Sequence, residues 1–355
     1  MKAVNFSRPD EFHRTLYSRV RSHLRENGIP RTGGFRIALK MVVIFALFVS
    51  SYYTLVFLSE SVWVTITATF LLSQAIVLIG FNIMHDAGHG SFSKKKWVNK
   101  VLGLSLDLIG GNQWIWGFKH GVLHHTYTNL ESLDDDLDSR GFIRTHPDQP
   151  WRPYHRYQAI YALPLYGLLY LLWFFDDFTE FFGRNVGGHP LKSPTWQQTV
   201  LLFVFKTNFV TWALVVPMIM HTWYVVLLVF MCVQVVVGLT LAIVFQLAHV
   251  VDGVSMPSLP EDRISVGEQW GVHQISTTAN FAVNNPFVRW YVGGLNFQIE
   301  HHLFANISHV RYPQIQPIVH RTCREFGVRY QCYPTVRSAV RAHVRQLVAM
   351  SHKPA

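Results

Sequence analysis

The sequence predicts an all-α integral membrane protein with four transmembrane helices in two hairpins and a cytoplasmic helical cap. Half of the 355 residues are hydrophobic and only 15% are charged, a balance that favours a membrane protein over a soluble one. Four apolar runs are long enough to cross a bilayer. Because no internal repeat beyond the two hairpins and no flexible linker divides the chain, we expect a single domain, 1–355.

The net charge of the chain indicates which classes of partner it can bind. The formal net charge is +10 and the sequence pI is about 9.6. Basic residues flank the apolar runs instead of forming one stripe with aromatic readers, so we expect no nucleic acid partner. Lipid headgroups, an acidic electron carrier or a phosphate-bearing substrate fit better. The three cysteines form no CxxC pair, which predicts reduced thiols.

The chain opens with a basic amphipathic pattern at 9–27. Its apolar residues recur every four positions, as Phe12, Leu16, Val20 and Leu24. The pattern predicts a helix lying on the membrane surface, with a helix docked on the rest of the fold as the alternative. A similar surface-bound helix is predicted near the other end, where one face carries Val336, Val340, Val344 and Leu347.

The predicted spans cover about 37–58, 62–84, 200–220 and 223–247. Each pair is joined by a short turn, at 59–61 and around His221. The basic amino-terminal arm and Lys94–Lys96 would lie on one side of the membrane, whereas the first turn offers only Glu60. The positive-inside rule therefore predicts that both termini and the histidines are cytoplasmic, with a cap of 85–199 and 248–355. Lys206, inside the third span, is expected to extend its amine to the cytoplasmic interface.

Two apolar stretches of the cap are too weak for ordinary spans. Val101–Phe118 is interrupted by Asp107 and by the adjacent glycines Gly110 and Gly111, so we expect it to lie at the interface. Ile160–Phe175 has sixteen residues, close to the lower limit for a span. If it crossed once, the last histidine cluster would face the opposite compartment from the others. We therefore predict an interfacial or re-entrant helix there.

Eight histidines are candidate metal ligands. His85 and His89 are spaced i and i+4, which places two imidazoles on one helical face, and His120 and His124 repeat this spacing. His125 diverges from His124 by about 100° on a helix, as expected if the two serve different metals. The full set is His85, His89, His120, His124, His125, His249, His301 and His302.

The number of imidazoles predicts two metals, because one tetrahedral zinc needs only four ligands. Spacing alone does not choose between Fe, Zn, Cu and Ni. Ligand histidines usually need acceptors for their second nitrogen, and four polar residues close in sequence are candidates: Asp86, Asn129, Asp252 and Glu300. The acidic run Asp134–Asp136 is a further candidate acceptor, and for it a solvated loop is at least an equal alternative. His273 is a weaker candidate ligand, because no span positions it.

The remaining isolated histidines are interpreted as surface or packing residues: His13, His23, His146, His155, His189, His309, His320, His343 and His352.

Three motifs carry a resemblance to a known family. HDAGH at 85–89, HGVLHHTYTN at 120–129 and QIEHH at 298–302 resemble, in order and spacing, the three histidine boxes of the membrane fatty acid desaturases. Glutamine at the start of the third box resembles the front-end branch, which inserts a double bond between an existing one and the carboxyl end. The stretches LAHVVD, ISTTANFAVNNPF and FGVRYQCYPT are similar to its delta-6 acyl-lipid members.

This resemblance implies a histidine-rich di-iron site in which the eight histidines are ligands and Gln298 binds a metal directly or through water. It implies that O2 is the co-substrate and that the di-iron centre itself is catalytic, with no separate side-chain nucleophile. The substrate would be an unsaturated fatty acyl chain on a glycerolipid or CoA, which receives a cis double bond, most simply at delta-6. Trp114 and Trp116 are candidates to line the acyl tunnel, with an ordinary interfacial aromatic belt as the alternative.

Many front-end relatives carry a fused cytochrome b5 domain, and this sequence lacks its HPGG motif. We therefore expect a separate electron donor, a ferredoxin or free cytochrome b5, attracted by the basic cytoplasmic face. In a bacterium the protein would lie in the cytoplasmic membrane. Two other classes stay open: a sphingolipid desaturase or lipid hydroxylase with the same boxes, and a non-enzymatic membrane metal-binding protein. The last predicts histidines buried within the spans.

Overall fold

A computed structural model of the chain describes residues 4–8, 10–259 and 265–354. Four of its helices are long and apolar enough to cross a membrane, at Phe35–Phe57, Val62–Gly88, Trp196–Met220 and Trp223–His249. Each agrees with a predicted span to within a few residues at its ends. The predicted all-α membrane fold is thereby confirmed, whereas the side of the membrane on which the cap lies stays a prediction.

The helices of the first half are α1 (Glu11–Glu26), α2 (Phe35–Phe57), α3 (Val62–Ile79), α4 (His85–Gly88), α5 (Lys96–Gly103), α6 (Ser105–Leu108), α7 (Gln113–Phe118), α8 (His125–Tyr127), α9 (Gln158–Tyr166) and α10 (Leu169–Gly183). Those of the second half are α11 (Trp196–Val210), α12 (Val216–Met220), α13 (Trp223–His249), α14 (Trp270–Ser276), α15 (Pro286–Tyr291), α16 (Gln298–Leu303), α17 (Tyr312–Glu325) and α18 (Val336–Ser351).

Short helical turns of other types join these helices. Among the described residues, three are π-helical, at Gly80–Met84, Lys119–His124 and Thr211–Val215, and three are 3-10 turns, at Asp135–Leu137, Pro153–Tyr157 and His309–Arg311. The first and third π segments continue α3 into α4 and α11 into α12, so each of these spans contains one wide turn. Such turns are rare and occur often at functional sites.

The described sheet structure consists of three two-stranded pairs. β1 (Asn5–Ser7) lies parallel to β4 (Ser265–Gln269), and β5 (Asn280–Phe281) lies parallel to β6 (Cys332–Tyr333), with Asn280 opposite Cys332. β2 (Asn185–Val186) and β3 (His189–Pro190) form an antiparallel pair. The two parallel pairs join segments that are distant in sequence, whereas β2 and β3 form a local hairpin.

Polar caps define where several helices begin. The Asp10 side chain accepts a hydrogen bond from the His13 amide at the start of α1, and Ser61 does the same for Val64 at the start of α3. Thr195 and Gln198 form a reciprocal capping box at α11. Such side chains satisfy amides that have no partner inside the helix, which fixes the turn between two spans.

The main core lies where α3 packs between α2 and α13. Ile44, Ile76 and Val237 are almost fully buried there, while side chains on the outer faces of the spans, such as Leu39 and Val235, are exposed. An apolar outer face is stable only against lipid. The cap has its own core, in which α1 covers α16 and α17.

The structure decides between the two interpretations of α1. Phe12, Leu16, Val20 and Leu24 are all buried against the cap, so α1 is docked on the protein and the membrane-surface prediction was wrong for its apolar face. In α18 the valines at 336, 340 and 344 remain exposed, as expected of a surface helix, whereas Leu347 packs inward. Pro9, the first residue of the predicted helix, lies outside the described residues.

The two weaker apolar stretches are both broken. Val101–Phe118 is divided among α5, α6 and α7 instead of forming one interfacial helix, with a left-handed turn at Gly110. Ile160–Phe175 is divided between α9 and α10, which meet at 79°. No straight helix therefore crosses at this place, and the interfacial or re-entrant arrangement stays the prediction.

Lys206 does not extend toward the interface as expected. Its amine is buried, 2.5 Å from Asp177 Oδ2 and 2.7 Å from the Gly110 carbonyl oxygen. The ion pair joins α11 to α10 and to the turn before α7. Removing both charges from water costs free energy, and their contact with each other offsets that cost. The buried Asp177 therefore holds the lysine amine inside the protein.

We expect Lys206→Met to lower the free energy of unfolding by about 3–5 kcal/mol, because Asp177 is then a buried charge without a partner. The double variant Lys206→Met/Asp177→Leu should recover most of that loss. Arg345→Ala breaks the exposed pair with Asp252 and should cost less than about 1 kcal/mol. Unfolding in detergent micelles measures all three, and equal losses for Lys206→Met and Arg345→Ala would contradict the interpretation.

Candidate metal centre

The first histidine cluster stands at the end of a span. The π-helical turn Gly80–Met84 continues α3 without a break into α4, which carries His85, and His89 caps α4. The two rings lie 4.8 Å apart between centroids. The wide turn changes the direction of the residues that follow it, so the end of a straight transmembrane helix presents both imidazoles to the cap.

The second cluster uses the same device. His120 and His124 belong to the π-helical segment Lys119–His124, and His125 begins α8. The rings of His124 and His125 are 5.8 Å apart and inclined by 76°. The two neighbours thus point to different places, as the sequence predicted.

The remaining histidines arrive from two other elements. His249 is the last residue of α13, and His301 and His302 lie on α16 with their rings 5.5 Å apart and nearly perpendicular. Four segments that are distant in sequence therefore converge at one end of the span bundle. Seven of the eight imidazoles are buried, and His89 is half-buried.

The histidines form two groups. In the first, the ligand nitrogens of His85, His89, His120 and His301 all lie within 4.8 Å of one another; in the second, those of His124, His249 and His302 do. His125 lies between the groups, with Nε2 3.3 Å from His120 Nε2 and its ring 4.5 Å from that of His302. Each group has the size and the donor type of a metal site.

Many ring nitrogens in this cluster have no hydrogen-bond partner among the described residues. They are Nε2 of His85, His89, His301 and His302, and Nδ1 of His125 and His249. A buried polar atom without a partner is costly, and so many in one place are expected only where something else binds them. The residues present therefore fit a pair of metal ions.

Gln298 adds an oxygen to the nitrogens. Its side chain is buried, its Oε1 has no hydrogen-bond partner, and it lines a small cavity with His120, His124 and His249. The position suits either direct or water-mediated binding to a metal, as expected from the third motif.

The second nitrogens of three histidines are held by the protein. His124 Nδ1 lies 3.1 Å from both carboxylate oxygens of Asp134, and His302 Nδ1 lies 2.7 Å from Gln274 Oε1. His301 Nδ1 is 3.2 Å from the Tyr312 hydroxyl. Such partners fix the tautomer and direct Nε2 toward the metal.

Burial also sets the protonation of the rings. Desolvation lowers the pKa of His120, His125, His301 and His302 well below the usual value, and that of His89 to about 4. These rings are therefore neutral near pH 7, the form that binds metal. Burial acts in the same direction on His124, but Asp134 and Asp136 outweigh it and raise the His124 pKa to about 9.

Of the polar residues predicted to hold the histidines, two lie beside the cluster, but they make different contacts. Asn129 braces the site: its side-chain amide donates to the His249 carbonyl oxygen at 2.9 Å, and its backbone amide donates to Asp134. Asp86 is buried beside the first cluster, but it accepts from Ser308 at 2.6 Å and lies 3.0 Å from His309.

Two predicted partners were wrong. Asp252 is half-exposed and its carboxylate pairs with Arg345 at 2.8 Å, because the chain turns away from the histidines after α13. Glu300 is buried, but it points to the other side of α16, where it accepts from Asn280 and Tyr330. Neither contacts a histidine of the cluster.

Asp134, in the acidic run that the sequence offered as a candidate partner with a solvated loop as the alternative, is buried against His124. Sequence reasoning missed several other residues that matter here. Tyr312 and Gln274 have no sequence signal, because they meet the histidines only through the fold. His309 was treated as isolated, yet it contacts Asp86. His273 lies outside both groups, with Nε2 2.9 Å from the Thr128 carbonyl oxygen.

The two tryptophans separate in the structure. Trp116 stacks on His120 with ring centroids 4.7 Å apart and lines an apolar cavity that reaches His85 and His120. A side chain at Gly88 would overlap the Trp116 ring, so glycine is required at that contact. Trp114 packs instead on Phe181 and does not line this cavity, so its place in a tunnel stays a prediction.

Comparison with known proteins decides the family. Residues 60–334 match the family model of fatty acid desaturases. The chain belongs to the fatty acid desaturase family. It is therefore an oxidoreductase, a membrane-bound fatty acyl desaturase with a metal centre, as the histidine motifs predicted.

Three relatives show to which branch of the desaturases this chain is similar. An sn-1 linoleoyl-lipid 6-desaturase of Arthrospira platensis is 35% identical over 99% of this chain and 95% of its own. One of the same name from Synechocystis sp. is 32% identical over 98% and 97%. An acyl-lipid (8-3)-desaturase of Physcomitrium patens is 36% identical over 95% of this chain and 71% of its own. These relatives agree with the front-end branch predicted from QIEHH.

Asp134→Asn should lower metal affinity about 10- to 100-fold, because the carboxylate that orients His124 is lost while the shape is kept. Asp252→Asn, at the surface, is the matched control and should retain the metal content of wild type. Metal analysis of purified protein after dialysis against a graded chelator series measures both. Equal retention by the two variants would show that Asp134 does not support the site.

Proposed function

We propose that this desaturase uses O2 and two irons to introduce a cis double bond at delta-6 into an unsaturated acyl chain carried on a glycerolipid. The observation that carries the proposal is the pair of histidine groups, the first of which contributes His85 and His120 to the wall of an apolar cavity. The two similar relatives named as linoleoyl-lipid 6-desaturases support the lipid-linked substrate, in preference to CoA, and the position of the double bond.

In this proposal the eight histidines bind the irons, with His85, His89, His120 and His301 around one and His124, His249 and His302 around the other. His125 lies between them and Gln298 completes the set. A di-iron centre supplies the strong oxidant, formed from O2 and two electrons, that hydrogen removal from an unactivated methylene requires. Side chains alone have no such oxidising power.

The protein's own task is to position the substrate. The cavity beside His85 and His120 is walled by apolar and aromatic side chains, among them Ile76, Phe81 and Trp116. An acyl chain in this cavity would place a methylene next to the first histidine group, and the walls would exclude water from it. Trp116, fixed over His120, would hold the chain on the metal side.

The electron donor is proposed to be a soluble carrier, a ferredoxin or free cytochrome b5, that approaches the cap from the cytoplasm. The net charge of +10 supports an acidic partner, because opposite charge raises the rate of encounter. The same charge, with the basic residues near both ends of the cap, supports the cytoplasmic side for both termini and the active site.

Wild-type protein in a host that supplies ferredoxin and is fed linoleic acid should yield a new delta-6 fatty acid. His301→Ala should yield none, whereas His320→Ala, at an exposed histidine outside the cluster, should match wild type. Gas chromatography with mass spectrometry of derivatised lipids identifies the product. A hydroxylated product would assign the chain to the lipid hydroxylases. A product on sphingoid bases alone would assign it to the sphingolipid desaturases.

A further inference from the structure

The amino-terminal helix α1 lies on the cap with its basic face outward. Its apolar face is buried against the cap. Arg14, Arg21 and Arg25 are exposed and make no ion pair with the residues that the structure describes, whereas Arg19 pairs with Glu325 at 2.5 Å. Between residues 10 and 34 no large hydrophobic side chain is exposed. A surface with positive charge and no apolar group to insert into lipid suits a soluble, acidic partner.

An aromatic side chain connects α1 to the histidine cluster. Trp270, which begins α14, is half-buried, and the His13 ring on α1 meets it edge-on with centroids 6.4 Å apart. A Cβ on Gly271 would lie 3.0 Å from the His13 ring, so α1 packs directly on this segment. The indole N–H of Trp270 donates to the His125 carbonyl oxygen at 3.1 Å.

His125 is the histidine that lies between the two groups. Its Nε2 is 3.3 Å from His120 Nε2, and its ring is 4.6 Å from that of His301 and 4.5 Å from that of His302. Electrons tunnel more efficiently through covalent and hydrogen bonds than across open gaps. One hydrogen bond therefore couples the indole beneath α1 to a ligand that contacts both groups.

The surface beside the second group has the opposite charge. Asp136 and Asp138 are exposed, and Asp136 Oδ2 lies 3.3 Å from His124 Nδ1. Carboxylates at this place would repel an acidic protein.

The surface beside His89 is basic but also apolar. Lys94–Lys96 are exposed there, next to Trp97 and Val101, which are 65% and 57% exposed. Large apolar side chains beside lysines are typical of the membrane interface. Of these three surfaces, only the outer face of α1 is both basic and free of exposed apolar side chains.

We propose that a small acidic one-electron carrier protein docks on the outer face of α1, and that its electrons reach the metal centre through Trp270 and His125. This inference rests on the proposed desaturase function. In each encounter the carrier loses one electron and one ferric ion gains it, and two encounters supply the two electrons needed for each double bond. Trp270 couples the two centres and is itself neither oxidised nor reduced.

Charge reversal tests the docking surface. The iron-loaded protein is placed in nanodiscs of phosphatidylcholine, and the probes are oxidised plant-type ferredoxin and oxidised soluble cytochrome b5, so that no turnover is needed. Arg14→Glu/Arg21→Glu should weaken carrier binding about tenfold at low salt and less at high salt, because attraction is replaced by repulsion. Arg337→Glu/Arg341→Glu changes the net charge equally on the exposed face of α18 and should leave the dissociation constant unchanged. Isothermal titration calorimetry measures both.

The rate of reduction tests the route of the electrons. Trp270→Leu should slow anaerobic reduction of the metal centre by saturating reduced carrier several-fold, with the iron content and the dissociation constant of wild type. Trp270→Phe keeps a ring but loses the hydrogen bond, so its rate should lie between the two. Trp151→Leu is the matched control, because the Trp151 indole also donates to a carbonyl oxygen, that of Ser351 at 2.8 Å, and its rate should match wild type. Stopped-flow absorption measures these rates.

A cross-linking measurement covers variants that fail to fold. p-Benzoylphenylalanine in place of Ser18, which is exposed on α1 between Arg14 and Arg21, should cross-link to the carrier on irradiation, whereas the same group in place of Arg337 should not. Cross-linking of position 18 to phospholipid instead of carrier would show that α1 lies on the membrane and would overturn the proposal.

Two other results would also overturn it: equal loss of affinity in the two charge-reversal pairs, or a wild-type rate in Trp270→Leu. In each case a delta-6 product from wild type in the fed host would leave the desaturase function standing. Absence of that product would overturn the proposed function, and this inference with it.

Discussion

The structure depends on one constraint, which is that eight imidazoles are held together at the end of the span bundle while ring nitrogens of six of them have no hydrogen-bond partner among the described residues. Buried nitrogens without partners are unfavourable in the protein alone, so the surrounding fold has to hold them in place. The stable part of that fold is the span bundle, where α3 packs between α2 and α13. Both of the helices that end in histidine, α3 through α4 and α13, belong to it.

Hydrogen bonds from surrounding residues fix the orientation of several histidine rings. Asp134, Gln274 and Tyr312 each hold one ring from outside the cluster. The first cluster is also tied to α2: Lys40 Nζ is 3.4 Å from His309 Nε2, and His309 Nδ1 is 3.0 Å from Asp86. These buried contacts join α4, which carries His85, to α2 through Lys40 and to the turn before α17 through His309.

Sequence reasoning succeeded where a local pattern has a single physical cause. A run of about twenty apolar residues is stable only as a span or in a deep core, so all four spans were predicted, and the i, i+4 spacing identified four of the eight histidines. It failed where the partner is set by the fold. The apolar face of α1 fits protein as well as membrane, and the acid bound by Lys206 is 29 residues away. Asp252 is three residues from His249 and Asp134 is ten residues from His124, yet only Asp134 turns inward. No residue pattern in the sequence predicted the π-helical turns.

Mössbauer spectroscopy of protein enriched in ⁵⁷Fe tests the central claim most directly, since it reports the number, ligands and coupling of the irons at once. The account predicts two irons per chain, in two nitrogen-rich environments, close enough to couple magnetically in the oxidised state. A single isolated iron, or a protein that retains zinc and rejects iron after reconstitution, would contradict the interpretation of the two histidine groups as one di-iron centre.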